Sequence, residues 1–96
     1  MTFDAFKASV AESTPPAGLG ASLLALWHDA RGNWDDAHRV AQDIDDAQGA
    51  WIHAYLHRKE GDLGNAAYWY RRAGKPVAND PLDEEWARIA RALTER

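Results

Sequence analysis

Residues 21–44 can be laid on residues 50–73 at a constant offset of 29, and this internal repeat constrains the fold more than any other feature. Ala21 meets Ala50, Ala25 meets Ala54, His28 meets His57, Gly32 meets Gly61 and Ala37 meets Ala66. Asn33 falls on Asp62 and Trp34 on Leu63, so chemical type is kept where identity is lost. A period of this length is that of stacked helical hairpins, in which each unit buries its apolar face only against its neighbours. Such stacks present surfaces, so the repeat points to binding ahead of catalysis.

Breakers and caps divide the chain into six helical segments, and no window alternates with the period of a strand. The expected fold is therefore all-α, a single domain over residues 1–96. An N-terminal helix (1–13) carries Phe3, Phe6 and Val10 on one face, with Thr2 as its N-cap. The run Ser13-Thr14-Pro15-Pro16-Ala17-Gly18 ends it, and residues 14–18 form a Pro-rich joint. Hairpin 1 (19–44) pairs a helix apolar nearly all round (Leu19, Leu23, Leu24, Leu26, Trp27) with an amphipathic one from Trp34 to about Ile44. Asn33 is read as the cap of that second helix, with Asp36 in the capping-box position. Hairpin 2 (47–73) repeats the plan, turning at Gly61-Asp62 as the first turns at Gly32-Asn33. The last helix (80–95) begins at Asp80-Pro81, with Asp80 as cap, and puts Leu82, Trp86, Ile89 and Leu93 on one stripe. Its single apolar face predicts a cap closing the end of the stack. Asp83, Glu84 and Glu85 fall early in it, and Arg88 and Arg91 late, as the helix dipole favours.

Five Trp, three Tyr and two Phe among 96 residues are more aromatics than one layer of helices hides, so some are expected in a groove or an oligomer contact. The absence of Cys removes disulfides, thiolate metal sites and Cys nucleophiles. A net charge of −4 argues against a nucleic-acid partner, which asks for a basic footprint. No stretch approaches the roughly 18 apolar residues of a membrane span, and no membrane partner is expected. Met1 to Lys7 lacks a signal-peptide pattern, which makes the cytoplasm the expected compartment.

The hairpins resemble the tetratricopeptide repeat (TPR) family and the wider TPR-like superfamily over about Gly18 to Ala78. Ala25 and Ala54 match the small residue at the helix crossing, and Gly32-Asn33 and Gly61-Asp62 match the turn. Ala66 with Tyr70 matches the small–aromatic pair of the second helix, and Ala73 the closing Ala. The chain departs from the pattern at Ala21 and Ala50, where a large aromatic is usual, and at His28 and His57, where Tyr is usual. Its period of 29 is also shorter than the family's roughly 34. The resemblance implies a module that binds a protein or peptide segment on a concave face built by the first helices. The family's contact positions correspond to Ser22, Leu26 and Asp29 in hairpin 1, and to Trp51, Tyr55 and Arg58 in hairpin 2. With Trp69 of the Tyr68-Trp69-Tyr70 run, the candidate partner-binding residues are Trp51, Tyr55, Arg58, Asp29 and Trp69, a mix typical of interface hot spots. Trp51 and Tyr55 packing beneath a terminal helix is the competing reading. No cofactor is implied.

A second reading comes from the histidines, all between residues 28 and 57. His53, His57 and Glu60 are spaced i, i+4, i+7 and share one helix face. A small enzyme or ligand site would use His28, His53, His57 and Glu60, with His38 nearby, and His53 with His57 is a possible metal pair. His28 and His57 lie one helical layer apart and do not converge on one ion. His38 is alternatively a hydrogen-bonded partner of Gln42 inside its hairpin. As to assembly, the first helix is expected to dock weakly on a monomer, or to leave an aromatic patch for a weak homodimer.

Overall fold

Gly32 and Gly61 both take the left-handed backbone, at φ 82° and 93°, which only glycine adopts without strain. At each, the residue after the glycine donates its N–H back to a histidine carbonyl: Asn33 to His28 and Asp62 to His57, both at 2.9 Å. These twin terminations turn the chain between the helices of each hairpin and establish the repeat as structural. The structure, a computed structural model, describes residues 1–95. Among them are six helices and no strand: α1 (Phe3–Ser9), α2 (Ala21–Ala30), α3 (Trp34–Gln42), α4 (Ala47–Glu60), α5 (Leu63–Ala73) and α6 (Leu82–Thr94). None is long and apolar enough to cross a membrane.

The caps differ in part from expectation. Thr2 does cap α1, accepting the Ala5 N–H at 3.1 Å. Asn33 makes no capping bond through its side chain, and Asp36 pairs with Arg39. Asp46 caps α4 by accepting from Gly49 N–H at 2.9 Å, and Asp62 caps α5 from Asn65 N–H at 3.3 Å. Pro81 is the N-cap of α6, and Asp80 receives the Arg88 guanidinium instead. Gly49 is fixed by space: a Cβ there would stand 2.4 Å from the Ile44 carbonyl oxygen.

The centre of the molecule is α4, in which every residue from Gly49 to His57 is buried. It touches α2, α3, α5 and α6. The α2 helix, apolar nearly all round in sequence, has a less buried first turn.

Two expectations are corrected here. Rather than closing the end of the stack, α6 lies along the first helices of both hairpins, packing on α2, α4 and α1. Its Trp86 donates an indole N–H to the Leu26 carbonyl at 3.0 Å. Nor is α1 weakly docked. Phe6 is 0% exposed and stacks on Trp86 at 5.7 Å, while Trp27 and Arg31 of α2 donate to the carbonyls of Ser9 (3.0 Å) and Val10 (2.7 Å).

Candidate functional site

The polar groups on the face expected to meet a partner are bonded within the chain itself. Asp29, buried, accepts from the Tyr55 hydroxyl at 2.6 Å and from Lys59 at 2.9 Å. Arg58 donates to Glu85 of α6 at 2.7 Å and also to the Asp80 carbonyl. Tyr70 donates to the second Glu85 oxygen at 2.5 Å. Trp51 is buried with the Lys75 ammonium 4.3 Å above its ring. Burial first, then the Asp29 and Glu85 carboxylates respectively, push the Tyr55 and Tyr70 hydroxyls well above the usual phenol range, so both remain donors. Trp51, Tyr55, Arg58 and Asp29 are thus engaged internally: α6 occupies the groove their helices form. Part of that face stays open: a cleft of about 790 Å³ is lined by Asp29, Tyr55 and Lys59 together with Lys7, Leu82 and Trp86.

Where α3 meets α4, sequence-distant polar groups converge. His38 of α3 and His53 of α4 face each other with Nε2 atoms 3.1 Å apart, replacing the expected His38–Gln42 pair. His57, one turn beyond His53, brings a third ring, and one nitrogen from each of the three lies within 4.8 Å of the others. His53 and His57 are buried and His38 is half-buried. Trp34 stacks on His38 (4.9 Å, 9°) and Trp69 on His53 (3.9 Å, 9°), so each ring is held in plane by an indole. Trp34 is itself anchored by its N–H to the Leu56 carbonyl at 2.8 Å. Glu60 accepts from His57 Nδ1 at 2.5 Å, and Asn65 lies 3.4 Å from Nε2. Glu60 and Asp62 also form a second group with His57, on the exposed side.

Of the expected histidine set, the structure therefore joins His38, His53, His57 and Glu60. His28 stands outside that group, edge-on to Trp27, with a buried Nδ1 that has no partner. Only a period-29 stack that presses α3 against α4 brings His38 in, which no single-helix spacing reveals.

Burial, and then the neighbouring charges of His38 and His57, push the His53 imidazole down to about 4. Burial also lowers His38 and His28. Because the native pKa lies below the unfolded value of about 6.5, the unfolded chain takes up protons first as pH falls. Stability is present in full above about pH 6.5 and drains away towards pH 4. Urea midpoints of metal-free protein should fall steadily across that window; a flat profile from pH 7 to 5 would mean ordinary, solvated imidazoles.

A shallow cleft of about 300 Å³ leads to this cluster, lined by Gln42, Asp45, Asp46, His53, Trp69 and Arg72. On its α5 side Tyr68 is 44% exposed, and Arg72 lies over both the Tyr68 and Trp69 rings. Compared with protein-family models, with curated proteins and with solved structures, the chain matches none.

Proposed function

We propose that the protein is a small TPR-like interaction module of the cytoplasm, a monomer or weak homodimer, that takes a protein segment across the outer face of α5. The reading is carried by one observation: the polar groups in the groove of the first helices are bonded within the chain, while Tyr68, Trp69 and Arg72 stand together on an open face beside a cleft. Tyr, Trp and Arg are the residues that most often anchor interfaces. Arg71, Arg72 and Lys75 make the end of α5 basic within a chain of net charge −4, so the segment that fits is acidic and carries an aromatic or apolar anchor.

Selection from a displayed peptide library tests this with Tyr68→Ala and Arg72→Glu, both at exposed positions and so compatible with folding. Acidic, aromatic peptides should be enriched, and each variant should weaken them roughly tenfold or more. Enriched peptides indifferent to both substitutions would sink the proposal.

A further inference from the structure

We infer that His38, His53 and His57 form a binding site for a single divalent transition-metal ion of the zinc class. Two nitrogens bound to one tetrahedral ion at about 2.0–2.1 Å stand about 3.3 Å apart. The His38 and His53 Nε2 atoms stand 3.1 Å apart. Without an ion, one of these rings must turn an N–H toward the other's lone pair. With one, both lone pairs point at the cation and neither needs the proton. His57 supplies the third nitrogen within the same radius.

The donor set decides the metal. Three imidazoles with no thiolate in the chain suit Zn²⁺, Co²⁺, Ni²⁺ or Cu²⁺ and do not suit Mg²⁺ or Ca²⁺, which require oxygen cages. The surroundings are those of a prepared site. Indole rings fix the planes of His38 and His53, and Glu60 holds His57 as carboxylates commonly hold histidine ligands. The His53 and His57 rings stand 4.7 Å apart with planes 22° from parallel, so the His57 ring must turn to bring its lone pair onto an ion held by His38 and His53. Because His38 belongs to the first hairpin and the other two to the second, the ion clamps the two repeats together. Three protein ligands leave a fourth position open, and His53 lines the cleft through which an outside ligand would reach it. This site does not depend on the α5 face binding a peptide.

The test uses the full, untagged chain, stripped with chelator and titrated with Zn²⁺ and Co²⁺. One ion per chain should bind with micromolar or tighter Kd. Co²⁺ should show the intense visible absorption of a tetrahedral centre. Tm should rise by roughly 10–20 °C at about a hundredfold excess over Kd. The imidazole resonances of His38, His53 and His57 should shift while those of His28 stay. His38→Gln should weaken binding at least tenfold, and His28→Gln should leave it unchanged. Two results would overturn the inference: no binding at millimolar metal, or binding retained in His38→Gln, which moves the ion to His57 with Glu60 and Asp62. If His38→Gln fails to fold, the wild-type resonances decide, since an ion elsewhere leaves the His38 ring unshifted.

Discussion

Glu85→Ala should cost about 3–5 kcal/mol of stability, a large part of the roughly 5–14 kcal/mol expected for a chain of this length. Glu85 is 0% exposed and accepts from both the Arg58 guanidinium and the Tyr70 hydroxyl. Removing the carboxylate leaves a guanidinium whose side chain is only 15% exposed with Asp80 as its remaining partner, and leaves a buried hydroxyl without an acceptor. The penalty lies in the unpaired donors more than in the lost attraction. Replacing both ends, Arg58→Met with Glu85→Met, should restore the part of the loss that comes from Arg58, while the part from the unpaired Tyr70 hydroxyl remains. Urea unfolding of the single and double variants measures this. A single-variant cost under about 1 kcal/mol would show that α6 is held by its apolar contacts alone.

Phe6→Ala should be nearly as damaging, at about 3–5 kcal/mol, because it removes a fully buried ring from its stack with Trp86. The loss spreads beyond α1. Trp86 also packs against Phe3 and bonds the Leu26 carbonyl, so a cavity at Phe6 loosens the joint among α1, α2 and α6. Equilibrium unfolding and the near-ultraviolet circular dichroism of the Trp bands should change together. A chain beginning at Gly18 should lose that signal and expose the Trp86 face. If it stays folded with unchanged stability, α1 is dispensable.

Repeat and turn glycines sufficed to place α4 and α5 to the residue, because positive-φ termination and the Asp62 cap are local properties. The position of α6 was not legible. An amphipathic stripe states that one face is buried but not which neighbour buries it. Glu85 reads from sequence as a first-turn carboxylate favoured by the dipole, whereas in the fold it faces inward onto Arg58 and Tyr70. The same limit left partner and terminal helix as competing readings for Trp51 and Tyr55: their spacing shows a helix side shared with Arg58, and the α6 carboxylate that takes up Arg58 comes more than twenty residues later. In the histidine cluster, the His53–His57–Glu60 line follows from helix periodicity. His38 joins it through packing between hairpins, which depends on layer offset and leaves no mark in local spacing.

The clasp between Trp86 and Leu26 spans sixty positions of sequence and has a consequence for biosynthesis. A ribosome delivers α1 and both hairpins before it delivers the residue that binds them. Until Trp86 clears the exit tunnel, Phe3 and Phe6 lack the indole they pack on, and the Asp29–Tyr55 and Arg58 groups wait beside an unfilled groove. The nascent chain is thus a set of partly paired helices that locks only when α6 is made. A chain cut short before α6 would leave Phe3, Phe6 and the Leu26 carbonyl without their indole, so the order in which the helices emerge sets when the fold can close.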